Sequence, residues 1–503
     1  MSSLSRRTLL GAGATAFATA SLGFPKSLPA SVRRKPKNII FCVADGMAQQ
    51  TLSMADIYQS QIIGERSYWH WLANQDFVTN GLQMTRSLSS VVTDSAAASS
   101  AWGAGRHIWN GQINEFPDGT KLRTLQSLLR EHGMKTGLVT TTTITHATPA
   151  GFSITCDDRD KEWVIAERYL EGGFDVLMGG GEKHFAAAKR KDKKDLFSAF
   201  AAAGYQVAKS RDEIMNLRAR KILGVFSDGH LPYTIDRDNS ADITEKVPTL
   251  AEMVRVALRN LKGSREGFIL QIEGGKVDHA GHANDLGALI FEQIAFEAAV
   301  KVAVEFALND EDTLVVVTSD HATGGPSLNG AGDEYFDSTA GIRTVERMKS
   351  SYDGVYTALG KTPSRSEVRD ILVSKLNITL SDEEAQGVSD SFAGHSPLSL
   401  STFQGNKGGT LATALSNHTK VGWTSQNHTA EHVMVTALGP GSSHFSGIRE
   451  NISYHNTLLG FKDIHHSNPS ISFPEAQAAR EKKQQKSVIG DELMATNEFG
   501  IHG

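Results

Sequence analysis

Short apolar runs alternate with longer amphipathic stretches along most of the chain, and this alternation is the main structural signal in the sequence. Apolar runs of strand length, which we interpret as buried strands, lie at residues 38–44, 136–140, 175–178, 267–272, 313–317 and 432–438. Apolar residues recur at helical spacing in residues 249–261 and 285–308, where Ile290, Ile294 and Ala298 share one face. Strands that alternate with helices predict an α/β fold, with a mainly parallel central sheet covered by helices on both faces.

The alternation stops between about residues 329 and 420, where Ser, Gly, Thr and Asp are frequent and helical patterns are confined to residues 366–376 and 381–391. We interpret residues 329–420 as an insertion, of crown or lid type, in a catalytic domain formed by residues 31–328 and 421–465. The insertion is expected to shape access to the site that this domain carries. Residues 466–503 are interpreted as a polar tail, helical or disordered at residues 476–486.

Composition excludes several classes of protein. Of the 503 residues, 40% are hydrophobic and 21% are charged, which is ordinary for a folded globular chain and excludes disorder throughout. Basic residues number 51 against 56 acidic ones, so no basic excess points to a nucleic-acid-binding domain. Two cysteines, Cys42 and Cys156, cannot staple a chain of this length, and we expect both to pack as free thiols.

The first thirty residues have the layout of an export signal. Arg6 and Arg7 precede a mild apolar run from residue 9 to residue 22, and small residues follow it. That order is typical of a secretory signal, and the paired arginines indicate the twin-arginine type. We therefore interpret residues 1–30 as a removed signal and expect a periplasmic or secreted protein. The apolar run is too short to span a bilayer, so we expect no transmembrane anchor after its removal.

Polar residues recur where the predicted strands end. The clusters are Asp45-Gly46, Thr93-Asp94-Ser95, His146-Ala147-Thr148, residues 273–282, Asp320-His321 and His428-Thr429, with Arg159 beyond the third. In open α/β sheets, ligand sites form at the carboxyl ends of the strands, so we expect these clusters to converge. Their residue types comprise metal ligands, a hydroxyl nucleophile and an arginine that could bind an anion.

The spacing of Asp278 and His282 is informative by itself. Residues four apart on a helix share one face, so a carboxylate and an imidazole at this spacing can hold one metal ion. Alone, each cluster also has an ordinary structural reading, such as a turn or a capped loop. The argument rests on the six clusters sharing one edge of the sheet.

Taken together, these motifs resemble those of the alkaline phosphatase family. The resemblance runs from about residue 38 to residue 461, interrupted at the insertion. It is carried by Asp45-Gly46-Met47, Asp94-Ser95-Ala96-Ala97, Ala147-Thr148-Pro149, Glu273-x4-Asp278-x3-His282, Asp320-His321 and His428-Thr429. Arg159 lies eleven positions after Thr148, which is the family's spacing between these two residues.

The resemblance implies two zinc ions, one magnesium ion and a phosphoserine mechanism. It assigns one zinc to Asp278, His282 and His428, and a second zinc to Asp45, Asp320 and His321. It assigns the magnesium to Asp45, Thr148 and Glu273. Zinc accepts mixed imidazole and carboxylate ligands while magnesium takes oxygen, which agrees with these sets. Ser95 would be the nucleophile and Arg159 the phosphate clamp.

Three further residues are expected beside the site. Asp94 is expected to orient Arg159. His146 lies next to the magnesium ligands, and its imidazole is expected to weaken the preference for magnesium over zinc. His279 follows a zinc carboxylate, and two interpretations stay open for it: contact with phosphate through water, or a solvated loop residue.

The resulting function hypothesis is hydrolysis of small phosphate monoesters by a homodimeric enzyme, the dimer being implied by the family alone. A phosphodiesterase of the same superfamily is an alternative, although Thr148 and Glu273 favour a third metal set. A sulfatase would need a Cys-x-Pro-x-Arg nucleophile motif, and the chain has Ser95 instead. A non-catalytic zinc- or phosphate-binding protein would need neither Ser95 nor Arg159. His432 competes with His428 as a ligand, but we expect it to lie inside the last strand.

Overall fold

A ten-stranded sheet organises residues 34–483, the part of the chain that the computed structural model describes. In chain order its strands are β1 (Asn38–Val43), β2 (Val78–Met84), β3 (Lys135–Thr143), β4 (Val176–Gly180), β5 (Gln206–Ala208), β6 (Ile222–Val225), β7 (Phe268–Glu273), β8 (Thr313–Thr318), β9 (Val433–Leu438) and β10 (Gly447–Glu450). Their order across the sheet is β10-β2-β9-β8-β1-β7-β3-β4-β6-β5. The mainly parallel sheet is confirmed, because β9 alone runs antiparallel to its neighbours.

Helices cover both faces of this sheet. They are α1 (Gln49–Ile57), α2 (Tyr68–Ala73), α3 (Ser95–Ala104), α4 (Leu125–Glu131), α5 (Ala147–Ser153), α6 (Glu162–Gly172), α7 (Leu196–Ala202), α8 (Arg211–Asn216), α9 (Thr234–Asp238), α10 (Ala241–Lys246), α11 (Leu250–Leu261), α12 (Lys276–Ala283), α13 (Leu286–Asp310), α14 (Phe336–Arg343), α15 (Tyr352–Leu359), α16 (Arg365–Leu376), α17 (Asp382–Phe392), α18 (Lys407–Thr419) and α19 (Ser453–Gly460). Two further pairs of short strands join Ala322–Thr323 to His428–Thr429 and Pro326–Leu328 to Val421–Trp423.

Strand β1 shows why a continuous apolar run becomes a central strand. All six of its residues are buried, and successive side chains point to opposite faces of the sheet. Ile40 and Cys42 therefore pack into the larger hydrophobic cluster, while Ile39 and Phe41 pack into the cluster on the other face. Strands buried on both faces are typical of parallel sheets with helices on each side.

The two helices predicted from the periodicity are present, and side chains cap both. Thr249 accepts a hydrogen bond from the backbone N–H of Glu252, whose carboxylate accepts one from the N–H of Thr249, so α11 begins with a capping box. Asp285 caps α13 by accepting from the N–H of Ala288 at 3.0 Å. Because α13 follows α12 directly, its cap also fixes the end of the segment that carries Asp278 and His282.

Residues 329–420 contain more regular structure than the sequence pattern predicts. Five α-helices, α14 to α18, lie in this interval, and only α16 and α17 were expected. Val355, Leu372 and Val388 belong to the same hydrophobic cluster as Ile40 and Cys42 of β1. Helices α14 and α15 have eight residues each and α18 carries Gly408 and Gly409 in its first turn, so their own helical signals are weak and contacts with the rest of the protein help to determine them.

The described range leaves out both ends of the chain. The export signal predicted at residues 1–30 lies outside it, as do residues 484–503 of the predicted tail. Within the tail, residues 473–483 are helical. Between residues 34 and 483, no helix combines the length and the apolar composition needed to cross a membrane. Cys42 and Cys156 are buried free thiols, as expected.

Helices α3 and α5, which carry Ser95 and Thr148, cross at very close range. A β-carbon added at Gly103 would lie 2.0 Å from the carbonyl oxygen of Gly151. One added at Gly151 would lie 2.9 Å from the β-carbon of Ser99. Glycine at both positions therefore sets the distance between the two helices.

We expect Gly103→Ala to lower the free energy of unfolding by about 1–3 kcal/mol, because the added methyl forces the two helices apart. Thermal denaturation of the purified protein measures this effect. Gly460→Ala is the matched control, since Gly460 is also helical but its added methyl meets nothing within 4 Å. Equal midpoints for Gly103→Ala and the wild type would show that this contact does not constrain the helices.

Candidate metal centre

Three adjacent strands bring most of the candidate residues to one edge of the sheet. Strand β1 lies between β7 and β8 and is parallel to both, so their carboxyl ends are neighbours. Asp45 follows β1, Glu273 ends β7, and Asp320 with His321 follows β8. Because β9 runs in the opposite direction, the segment that precedes it returns to the same edge. There, His428 is paired with Thr323 in a short antiparallel ladder.

The first cluster is formed by Asp45, Asp320 and His321, all of which are fully buried. Each offers a ligand atom within 4.8 Å of the other two. The Nε2 atom of His321 lies 3.3 Å from Asp320 Oδ2 and 3.6 Å from Asp45 Oδ1. It also lies 3.2 Å from the Oγ atom of Ser95. The candidate nucleophile is therefore in direct contact with this cluster.

Gly46 allows the backbone to fit inside the cluster. Its φ is +68°, and a β-carbon there would lie 2.4 Å from Asp278 Oδ1. Its N–H donates a 3.0 Å hydrogen bond to Asp320 Oδ1, which also accepts from the N–H of His321 at 2.9 Å. Only glycine meets both the conformational and the spatial requirement, which explains the Asp45-Gly46 pair in the sequence.

The second cluster is formed by Asp278, His282 and His428. Asp278 and His282 lie on α12, as their spacing predicts. The Nε2 atoms of the two histidines are 3.0 Å apart, and Asp278 lies 3.3 Å from His282 and 3.7 Å from His428. The ring of His428 also stacks on that of His321 with centroids 3.7 Å apart, so the first two clusters are adjacent.

Backbone carbonyls fix the orientation of both histidine rings. His282 Nδ1 lies 2.6 Å from the carbonyl oxygen of Gln426, and His428 Nδ1 lies 2.8 Å from that of Thr93. A carbonyl only accepts, so each Nδ1 carries the proton and donates it. Both Nε2 atoms therefore face each other and Asp278. Burial opposes a charge on His282, but Asp278 outweighs burial and raises the pKa of His282 to about 9, so positive charge is favoured here, as a proton or as a metal cation.

Thr323 links the two clusters. Its hydroxyl donates a 2.6 Å hydrogen bond to Asp278 Oδ1, and its oxygen lies 3.4 Å from His321 Nδ1. The ring of His321 is thus held with Nε2 toward Asp45, Asp320 and Ser95. This residue was not predicted, although it lies only two positions after His321.

The third cluster contains Asp45, Glu273, Thr148 and His146. The Thr148 hydroxyl donates to Asp45 Oδ2 at 3.2 Å, so Asp45 serves both the first and the third cluster. His146 Nδ1 lies 3.9 Å from Glu273 Oε1. Asp45, His146 and Glu273 each offer a ligand atom within 4.8 Å of the others. His146 therefore adds a nitrogen ligand to an otherwise oxygen-only set.

Several buried ligand atoms lack hydrogen-bond partners within the described residues. They are Asp45 Oδ1, Asp320 Oδ2, Glu273 Oε1 and His146 Nδ1. Buried polar atoms are nearly always satisfied, so four such atoms around one space indicate a missing partner. All four are acceptors or can be, and divalent cations bind such donor sets. The residues present fit bound metal ions.

The ionisation of the site residues reflects the same concentration of negative charge. Burial, together with the carboxylates of Asp320 and Asp278, raises the pKa of Asp45 well above its ordinary value. Burial likewise raises the pKa of Asp320 to about 7. For Asp278 burial acts in the same direction, but His282 and His428 outweigh it and hold its pKa well below the usual range.

Ser95 is the first residue of α3, and the preceding residue caps that helix. Asp94 Oδ1 accepts from the N–H of Ala97 at 2.9 Å, and its Oδ2 accepts from Arg159 at 3.1 Å and from the N–H of Gly111 at 2.7 Å. One carboxylate thus fixes both the nucleophile's helix and the candidate anion clamp. The free N–H groups of a helix N-terminus add to the attraction for an anion at this point.

Comparison with known proteins identifies this arrangement. A family model described as alkaline phosphatase matches residues 36–463. The chain belongs to the alkaline phosphatase family. The match ends before residues 464–483, the last part of the chain that the structure describes.

Individual alkaline phosphatases agree with this assignment. "Alkaline phosphatase 3" of Bacillus subtilis is 31% identical over 425 residues, which is 82% of this chain and 86% of the relative. The crystal structure of Thermus thermophilus alkaline phosphatase is 36% identical, has a TM-score of 0.84, and covers 92% of this chain and 98% of its own. A TAB5 alkaline phosphatase variant with a histidine replaced by aspartate, described with Mg bound in its M3 site, is 25% identical. Its TM-score is 0.60, with 86% of this chain and 100% of that chain covered.

His279 lies on helix α12, so the loop interpretation is wrong. Its ring centroid is 5.6 Å from that of His146 and 4.4 Å from that of His230, a residue that was not predicted. Burial, together with the positive charge of Lys276, lowers the pKa of His279 well below its ordinary value. His279 therefore packs behind the third cluster of this alkaline phosphatase as a neutral ring.

His432 does not compete with His428. It is exposed and precedes β9 by one residue, whereas it was expected inside that strand.

The candidate residues that were predicted for the three clusters all lie at this edge. Among the residues that were missed, Thr323, Gln426 and Gly111 act through backbone groups or a hydroxyl, which leave no signal that a pattern search would find.

We expect removal of bound metal to make the protein's stability fall as pH rises. Folding raises the pKa of Asp320 from roughly 4 to about 7. The contribution of protonated Asp320 to the free energy of unfolding is therefore complete below about pH 4, and it is lost as the pH rises through about 7. A cation that binds the ionised carboxylates reverses this loss. The measurement is the thermal midpoint of chelator-treated protein with and without added zinc, across about pH 5 to 8.

The rise in thermal midpoint on addition of zinc should become larger as pH increases. Asp320→Asn should reduce both this rise and its dependence on pH. Asp390→Asn, which changes an exposed carboxylate on α17, is the control and should leave both unchanged. A zinc effect that is absent, or that is constant with pH, would contradict the interpretation of the buried carboxylates.

Proposed function

We propose that the enzyme hydrolyses phosphate monoesters through a covalent phosphoserine at Ser95 and releases inorganic phosphate. The observation that carries the proposal is the contact of Ser95 Oγ with His321 Nε2 at 3.2 Å, next to an arginine held by Asp94. A nucleophile, an anion clamp and three clusters of metal ligands thus share one space.

We propose zinc for the two clusters that combine imidazole and carboxylate ligands: Asp278, His282 and His428 for one ion, and Asp45, Asp320 and His321 for the other. For the third cluster, with Asp45, Thr148 and Glu273, we propose magnesium. When bound, such ions lower the pKa of a coordinated hydroxyl and offset charge on phosphoryl oxygens.

His146 bears on the third ion. Its nitrogen favours zinc over magnesium more than an oxygen ligand would. The TAB5 variant described with magnesium in its M3 site has an aspartate in place of a histidine, which supports the same reasoning. We therefore propose that zinc competes with magnesium at this position.

The protein's own residues account for the steps of the reaction. Arg159, which is fixed by Asp94 and lies 3.4 Å from His146, directs its remaining N–H groups to two phosphate oxygens. Burial opposes its charge, but Asp94 outweighs this effect and raises the pKa of Arg159, so the clamp stays cationic. Ser95 Oγ gives up its proton to solvent and attacks phosphorus. The bond to the ester oxygen breaks, and that oxygen takes up a proton from solvent and leaves as the alcohol. Water then attacks the phosphoserine, which restores Ser95 and yields phosphate.

Location and assembly are further parts of the proposal. The arginine pair at Arg6 and Arg7 supports export by the twin-arginine route to the periplasm or the medium. Cell fractionation of the producing organism tests this location. We propose a homodimer by analogy with the family, and light scattering of the purified protein tests it.

We expect Ser95→Ala to lower kcat/KM for a chromogenic phosphate monoester on the order of 10³-fold or more, because the hydroxyl forms the covalent intermediate. No phosphoenzyme should be trapped by acid quenching with labelled substrate. Ser100→Ala, which removes a hydroxyl farther along the same helix, is the matched control and should still form it.

Wild-type protein assayed against a phosphate diester and a sulfate ester separates the alternatives. The proposal requires faster turnover of the monoester than of either. A phosphoenzyme in Ser95→Ala, or preferential hydrolysis of the diester, would contradict it.

A further inference from the structure

The C-terminal segment, residues 466–483, packs against the catalytic side of the protein. It lies beyond the match to the family model, which ends at residue 463. The side chain of Asn468 donates to the carbonyl oxygens of Ala104 and Arg123 at 2.8 Å each, and its own oxygen accepts from the N–H of Arg123 at 2.8 Å. The segment is thereby fixed to the end of α3, the helix that begins at Ser95.

Trp109 holds the helical part of this segment in place. The ring of Phe473 stacks on Trp109 with centroids 5.8 Å apart and an interplanar angle of 5°. The guanidinium of Arg480 lies 5.4 Å from the centre of the same ring. A cation over the face of an indole is attracted by the ring, so this contact helps to hold Arg480 beside Trp109.

Arg480 lines a cavity of about 480 Å³ that also contains Arg159. Gly111, on the wall of this cavity, donates to the same Asp94 oxygen that binds Arg159. The wall of the cavity is therefore hydrogen-bonded to Asp94, the residue that precedes Ser95 in the chain. Its volume is within the range of sites that bind small molecules.

The charges in the cavity leave one cation available. Three aspartates and four cationic side chains line it. Asp157 binds Lys161 at 2.7 Å and Lys483 at 3.4 Å, and Arg159 is paired with Asp94. Asp158 and Asp160, the other carboxylates of the cavity, make no ion pair within residues 34–483, and Asp158 Oδ1 accepts from the N–H of Asp160 at 3.0 Å. In the same range, Arg480 is the cavity cation that makes no ion pair with a carboxylate. Its guanidinium fork is suited to binding a phosphate group.

We propose that Arg480 binds a second phosphate group of the substrate, so that the enzyme favours monoesters whose alcohol part carries another phosphate. The inference rests on the proposed function, because Arg159 must bind the phosphate that is hydrolysed. Arg480 is a specificity-determining residue that does not touch the reacting atoms.

The test compares fructose 1,6-bisphosphate with fructose 1-phosphate as substrates of the metal-loaded, full-length enzyme. Loss of one charged hydrogen-bonding group should raise KM for the bisphosphate about tenfold in Arg480→Ala, with kcat unchanged. Both parameters for the monophosphate should stay at their wild-type values. Arg480→Lys, which keeps the charge, should recover part of the loss. Lys482→Ala, an exposed neighbour outside the cavity lining, is the control.

An equal change for both substrates, or no change for either, would overturn the inference and leave the proposed function standing. Failure of wild-type enzyme to hydrolyse either substrate would instead contradict the proposed function and this inference with it. Thermal denaturation shows whether each variant is folded. If Arg480→Ala does not fold, the same comparison with Arg480→Gln decides the question.

Discussion

Four carboxylates converge in a buried space at the carboxyl ends of three adjacent strands, and their mutual repulsion is the constraint on which the site depends. Asp45, Asp278, Asp320 and Glu273 are all at least 95% buried. An uncompensated buried carboxylate costs several kcal/mol even after the protein relaxes. Arg159 cannot balance them, because it is paired with Asp94. His282 and His428 offset part of this charge at Asp278, and bound cations satisfy the remaining demand for positive charge.

The scaffold and the site follow from one another. A parallel sheet places the ends of β1, β7 and β8 side by side, and each strand is held by apolar packing on both faces. Burial of the polar residues directly after the strands can therefore be unfavourable in free energy without unfolding the protein. Binding energy from the cations then adds to the stability of the folded state.

The sequence was sufficient for the central strands and for the candidate metal ligands that the structure brings into clusters, because both leave local signals. Continuous apolar runs predicted β1, β7 and β8, and the ligands follow those runs or share one helical turn, as Asp278 and His282 do. It was insufficient where structure depends on distant contacts. Strand β2 is mostly half-buried and lacks an apolar run. Helices α14 and α15 have eight residues each, and α18 has two glycines in its first turn, so their own helical signals are weak. The placement of the C-terminal segment depends on Asn468 and Trp109, which are far apart in the chain.

The most direct test of the account is the metal content of the purified protein, measured by elemental mass spectrometry after exposure to zinc and magnesium together. The account predicts about two zinc equivalents and one equivalent of magnesium or competing zinc per chain, because the candidate ligands fall into three adjacent clusters. His428→Ala should lose about one zinc and keep the other ions, while His432→Ala, with its exposed ring, should lose none. Full zinc content in His428→Ala, or loss of zinc in His432→Ala, would contradict the assignment.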